Sequence, residues 1–267
     1  MITISIDPVI FTVGHFGLRW YGVIVAGSIG LAAWIAFREA KRKGLRSEVI
    51  QDALTWVVLA GLVGARLFHV IDHWPHEFAP NPIRALYIWE GGLAIWGGVV
   101  GGMLALVVFA RRRHLSLGRL ADIAAPGLVL AQGLGRLACV ITGDAMGRPT
   151  NGPFGLAYTN PAAMVPQLGV YYAPMPVYEL MVNVGIFGLL WQLRKRSWPD
   201  GALFLVYLGL YSLERFFLAY VSSYQIVAFG LTQSQIVALA GLAMAIPLGV
   251  WMLRRSTGLW GSRSRSL

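Results

Sequence analysis

The sequence predicts an all-α integral membrane protein: seven transmembrane helices with a small extracytoplasmic head between spans 4 and 5. Three observations carry this. Of the 267 residues, 57% are hydrophobic and only 13% charged, with mean hydropathy +0.62. Apolar runs of bilayer-crossing length, roughly 20 residues, recur along the chain. The basic residues fall in alternate connections between those runs, as orientation in a membrane requires.

Composition narrows the function classes. A soluble domain carries about 25% charged residues, and a chain of this size could not hide so much apolar surface from water. A water-soluble enzyme, a disordered chain and a secreted disulfide scaffold are thereby set aside. The one cysteine, Cys139, permits neither an internal disulfide nor a cysteine-based metal site. The net charge of +10 marks, in a membrane protein, loops facing anionic lipid rather than a nucleic-acid surface.

The spans are expected at about 20–37, 53–71, 91–110, 123–142, 177–193, 201–220 and 232–253, within one transmembrane domain over 1–267. The first has no basic segment before it and Arg38, Lys41, Arg42 and Lys43 after it, so it reads as a retained span rather than a signal peptide. Arg38, Lys41, Arg42, Lys43 and Arg46 follow span 1, Arg111, Arg112, Arg113 and Arg119 follow span 3, Arg194, Lys195 and Arg196 follow span 5, and Arg254, Arg255, Arg263 and Arg265 follow span 7. Together these are 16 of the 22 basic residues, whereas the other three connections hold only Arg84 and Arg148. This split places the N-terminus outside and the C-terminus in the cytoplasm. The connection 143–175 is long and rich in proline, glycine and tyrosine, which suggests an ordered head at the outer interface; a flexible loop is the plain alternative.

Three arginines carry the chemical signal. Arg66, Arg136 and Arg215 stand late in even-numbered spans, hence in the outer half. A guanidinium at a helix centre costs about 2.5–3.5 kcal/mol on insertion scales. Three at similar depth suggest an anion site, because the guanidinium fork grips phosphate; snorkelling to headgroups is the structural alternative. Gly97, Gly98, Gly101 and Gly102 on span 3, like Ala60-x-x-x-Gly64 and Gly61-x-x-x-Ala65 on span 2, suit either close helix packing or room for an acyl chain. Gly133-x-Gly135-x-x-Ala138 has the spacing of a dinucleotide fingerprint but lacks the strand–turn–helix context that gives it meaning.

Taken together, several motifs resemble the bacterial prolipoprotein diacylglyceryl transferase family. These are Arg19-Trp20-Tyr21-Gly22, Gly64-Ala65-Arg66-Leu67, Trp89-Glu90-Gly91-Gly92 with Gly97-Gly98, and Gly135-Arg136-Leu137 through Gly143-Asp144-Ala145-Met146-Gly147-Arg148. Met175-Pro176-Val177-Tyr178-Glu179, Tyr211-Ser212-Leu213-Glu214-Arg215-Phe216-Phe217 and Gly230-Leu231-Thr232-Gln233-Ser234-Gln235 continue the likeness in order. The resemblance implies transfer of the diacylglyceryl group of phosphatidylglycerol to the lipobox cysteine thiol of a prolipoprotein, in the bacterial inner membrane. No cofactor, metal or nucleic acid is implied.

By resemblance, Arg136, Tyr21, Asp144 and Arg215 are the expected catalytic residues. Arg66, Gly97, Gly98, Cys139, Gly147, Arg148, Glu179 and Gln233 are expected to bind substrate. The chain departs from the family pattern at Trp96 (commonly histidine), Cys139 and Thr142 (asparagine), Asp144 (glutamate) and Ala219 (glutamate). Sulfur must displace phosphate at a glycerol carbon, which needs a deprotonated thiol and stabilised phosphate charge. With tryptophan at 96, Asp144 is the expected proton acceptor and His69 the alternative. A family member with altered or lost catalysis that binds phospholipid is the competing reading.

Overall fold

A computed structural model of the chain describes residues 1–14, 16–88 and 91–263. Trp89 and Glu90 of the third motif, and Arg265 of the C-terminal basic cluster, lie outside the described residues. Seven long α-helices dominate the described residues: α1 Trp20–Arg42, α2 Ser47–Asp72, α3 Ile95–Arg112, α4 Leu117–Thr142, α5 Met175–Leu193, α6 Ala202–Leu218 and α7 Gln233–Arg263. Six of them (all but α6) contain a stretch long and apolar enough to cross a membrane. The chain is therefore a multi-pass membrane protein.

The helices match the hydropathy runs with instructive exceptions. α1 runs on through Arg38–Arg42 and α2 begins at Ser47, because a helix continues past the apolar stretch that hydropathy detects. The third helix starts at Ile95 rather than 91, since Gly91 and Gly92 adopt positive φ (91° and 71°) and break helical geometry. α6 has 17 residues and ends two positions short of the expected boundary.

The chain divides into two compact units, residues 37–120 and the remainder. In the first, α2 and α3 cross backbone to backbone. A Cβ on Gly64 would strike the Gly97 carbonyl, one on Gly97 would strike the Gly64 carbonyl, and one on Gly101 would strike Ala60. Small residues permit that approach. The Asp52–Arg113 pair (2.7 Å) adds an ionic tie between α2 and the residue that follows α3.

In the second unit, Ala125 and Val129 of α4, Ile186 and Leu190 of α5, and Leu203 and Tyr207 of α6 form a buried core. Asp122, 2% exposed, accepts hydrogen bonds from the Gly201 and Phe204 amides at 3.0 and 2.9 Å. A carboxylate from α4 thus caps the start of α6, whose N–H groups have no intrahelical partner. Gly127 lies against Ala32 and Gly133 against Asn183, closing α4 onto α1 and α5.

Six short strands among the described residues were not legible in the sequence. β1 (Ile2–Ile4) pairs in parallel with β4 (Leu156–Tyr158), β2 (Val9–Val13) pairs with β3 (Phe16–Arg19), and β5 (Ile226–Ala228) pairs with β6 (Leu231–Thr232). The α4–α5 connection is ordered around Met146, Leu156, Tyr158 and Tyr172, with Ile4 packed against them. The Tyr158 hydroxyl donates to the Val140 carbonyl at 2.6 Å. Burial pushes the phenol up, so it remains a neutral donor.

Candidate functional site

Glu179 is the hub of the site. It stands one turn into α5, 2% exposed. Its carboxylate accepts from Arg136 of α4 and from Arg215 of α6. A buried carboxylate shared by two guanidiniums offsets one of their two charges and leaves a positive excess. The arginine side chains stay 23% and 16% exposed. Each presents further N–H groups beyond those bonded to Glu179, and a guanidinium has five.

The surroundings fix this arrangement. Asn183, one turn along α5, donates from Nδ2 to the Glu179 carbonyl at 2.8 Å and to Glu214 Oε1 at 3.2 Å. Arg136 Nη1 donates to the buried Cys139 sulfur at 3.8 Å. Cys139 therefore acts as a weak acceptor that aims Arg136. Tyr21, 46% exposed in the first turn of α1, lies within electrostatic range of Arg136, Cys139 and Asp144. Tyr224 lies within the same range of both Arg136 and Arg215.

The loop after α4 explains two expected residues. Gly143 has positive φ (77°), as does Ala145 (55°), so the chain turns sharply. The Gly147 amide donates to the Ala173 carbonyl at 2.9 Å. A Cβ there would lie 2.8 Å from the Val221 carbonyl and 3.0 Å from that of Ala173. Only glycine fits where three backbone segments converge. Arg148 donates to the Ser222 carbonyl at 3.1 Å and is otherwise exposed. Asp144 is half-buried, and among the described residues neither Arg136 nor Arg148 pairs with it.

Other expected site residues are otherwise engaged. Arg66 does not hold a third free guanidinium. It is 7% exposed and donates to the carbonyls of Arg84, Ala85, Gly91 and Gly92 at 2.6–3.1 Å, beside the Phe78 ring. Arg66 thus supplies the donors that these four main-chain carbonyls need. Gly97 is filled by the α2 backbone, while Gly98 makes ordinary contacts. His69 faces Glu77 at 3.7 Å and lies against the His73 ring, centroids 4.3 Å apart. Gln233 is exposed at the start of α7. Its neighbours form a capping box: the Thr232 hydroxyl accepts from the Gln235 amide, and Gln235 Oε1 accepts from the Thr232 amide.

Sequence reasoning missed Asn183. Its signal was available: a polar residue four positions after Glu179 in an otherwise apolar span shares a helix face with it. It also left Glu214 without a role. Glu214 is 6% exposed and reaches Asn183 rather than the neighbouring Arg215.

A family model described as prolipoprotein diacylglyceryl transferase matches residues 8–251. A Dehalococcoides mccartyi protein is 35% identical over 256 residues, covering 96% of this chain and 97% of its own length. A Lactobacillus acidophilus protein is 35% identical over 261 residues, with 96% and 92% covered. A Nostoc protein is 33% identical over 263 residues, with the same coverage. All three are named phosphatidylglycerol–prolipoprotein diacylglyceryl transferase.

Proposed function

The chain belongs to the prolipoprotein diacylglyceryl transferase family, and from that premise we infer that it moves the diacylglyceryl group of phosphatidylglycerol onto the lipobox cysteine thiol of prolipoproteins, the first step of bacterial lipoprotein maturation. The observation that carries this to particular residues is the Arg136–Glu179–Arg215 bridge. It gathers two guanidiniums, each still partly exposed, in a multi-pass membrane protein.

The chemistry follows from these groups. The substrate phosphate takes N–H groups of Arg136 and Arg215 that Glu179 leaves open. The thiol sulfur forms a bond to the glycerol carbon as the carbon–oxygen bond to phosphate breaks. Glycerol phosphate leaves with the bond's electron pair, and the two arginines stabilise its growing charge. The thiol proton passes to Asp144, the half-buried carboxylate beside Tyr21. Tyr21 orients the reacting groups. Cys139 and Glu179 aim the arginines, Gly147 and Arg148 shape the loop above them, and Gln233 meets substrate at the start of α7. Arg66, Gly97 and Gly98 hold the main chain rather than substrate.

In this reading α6 crosses the membrane too, giving seven spans. The N-terminus and the head over 143–175 face the outside of the bacterial inner membrane, and the C-terminus faces the cytoplasm. The test is transfer by the purified chain in phosphatidylglycerol vesicles to a lipobox peptide, with the thioether product read by mass spectrometry. Arg136→Lys keeps the charge and loses the fork. It is expected to slow transfer by roughly 10²–10³-fold, as loss of one transition-state donor does, at unchanged thermal stability. Near-full activity in that variant would make Arg136 a structural residue.

A further inference from the structure

The α6–α7 connection ends in a tip that the arginine site does not use. β5 and β6 are joined by Phe229-Gly230, both at positive φ (53° and 73°). That is the geometry of a two-residue type I′ hairpin, whose first position favours Asn, Asp or Gly. Here it holds phenylalanine, 98% exposed, with Ile226 and Val227 also exposed beside it. A bulky apolar side chain in the left-handed region, turned away from the protein, is not explained by contacts within the fold.

We propose that the β5–β6 tip is a lipid-docking element: Phe229, Ile226 and Val227 sit in the interfacial zone of the bilayer. Continuity carries the choice of occupant. The exposed side chains of Leu213, Phe217 and Tyr220 lead up to the hairpin, and those of Ile236 and Val237 lead away from it along α7. Exposed apolar side chains thus flank the tip on both the α6 and the α7 side. Charge agrees, since no Asp, Glu, Lys, Arg or His occurs between Arg215 and Arg254. Aromatic side chains with apolar neighbours are what the membrane–water interface selects. A polypeptide partner or a second copy would not explain why the apolar surface continues onto both flanking helices.

The root of the hairpin ties this contact to the site. Ser223 Oγ donates to the Met146 carbonyl at 3.1 Å, the Arg148 amide to that of Val221 at 3.2 Å, and Tyr224 lies within electrostatic range of Arg136 and Arg215. Insertion of the tip therefore sets the height of the arginine pair against the lipid phosphates.

The test uses the full chain in vesicles of phosphatidylglycerol and phosphatidylcholine. Phe229→Cys carries a nitroxide label, and the parent, whose native Cys139 is buried, gives the background. Exposed Ile246 of α7 and exposed Asn151, each replaced by labelled cysteine, mark lipid and water. The label at 229 is expected to collide with oxygen and to collide with a water-soluble nickel chelate far less than the label at 151, at a level between those of the labels at 151 and 246. Chelate collisions at the level of the label at 151 overturn the proposal. So does protection from both reagents with an immobilised spectrum, the signature of a protein partner.

Discussion

Arg136 and Arg66 are the same residue type in the same kind of segment, and the fold treats them in opposite ways. Arg136 meets a carboxylate, shares it with Arg215, and stays 23% exposed. Arg66 meets four main-chain carbonyls and is 7% exposed. Neutral carbonyls take four guanidinium hydrogen bonds here and pin a loop. One carboxylate between two arginines instead fixes their direction and leaves charge and donors over. Arginine in a membrane helix therefore marks a functional site only when its donors are not already spent.

The widest break of this comparison is Glu179→Ala. Without the carboxylate the two guanidiniums repel each other in a largely buried setting. Removing one partner of a buried ionic pair costs about 3–5 kcal/mol, and transfer is expected to vanish with it. Thermal unfolding in detergent beside the transfer assay checks both. A stability change below about 1 kcal/mol, the scale of an exposed pair, would mean the bridge does not organise the site.

The proton acceptor sharpens the contrast. Asp144 pairs with neither Arg136 nor Arg148, while the carboxylate near Arg66, Glu77, faces His69 at 3.7 Å. Asp144→Asn is expected to slow transfer by about 10²–10⁴-fold, the range of general-base removal. His69→Gln is expected to leave the transfer rate unchanged. The reverse outcome would move the base to His69.

How much of this could be read from the chain follows from what each signal encodes. Hydropathy marks apolar stretches, so each run falls within a few residues of a helix, while Arg38–Arg42 of α1 and the break at Gly91-Gly92 escape it. It gives depth but not direction around the helix axis, which is why Arg66 was grouped with Arg136 and Arg215. Glu179 was legible as a motif member, but its bridging of α4 and α6 exists only after tertiary packing. The β1–β4 pair joins three-residue strands separated by about 150 positions, and no local pattern encodes that.

A smaller effect tests the other half of the comparison. Arg66→Lys keeps the charge with three donors instead of five and cannot span four carbonyls. Charged hydrogen bonds are worth about 1.5–3 kcal/mol each, so stability is expected to fall by about 2–3 kcal/mol. Transfer per folded molecule is expected to hold. A selective rise in the KM for phosphatidylglycerol, at unchanged stability, would return Arg66 to the substrate site.

The smallest effect concerns neighbouring glycines. Gly97 and Gly98 were expected to bind substrate together, yet their surroundings differ. A Cβ at 97 would enter the Gly64 carbonyl, a backbone atom that cannot move without shifting α2. At 98 the nearest atoms are the Gly61 carbonyl at 3.5 Å and the Ala65 Cβ at 3.6 Å, ordinary contact distances. Overpacking of a tight interface costs about 1–3 kcal/mol, so Gly97→Ala is expected to lower stability by that amount. Gly98→Ala replaces glycine within a helix without a clash and is expected to be neutral, or to stabilise by up to about 1 kcal/mol. Both are expected to leave transfer per folded molecule intact, because the α2–α3 crossing holds backbone rather than lipid. If Gly98→Ala slows transfer while leaving unfolding unchanged, the thin face of α3 accommodates an acyl chain, and Gly98 belongs with Arg136 rather than with Arg66.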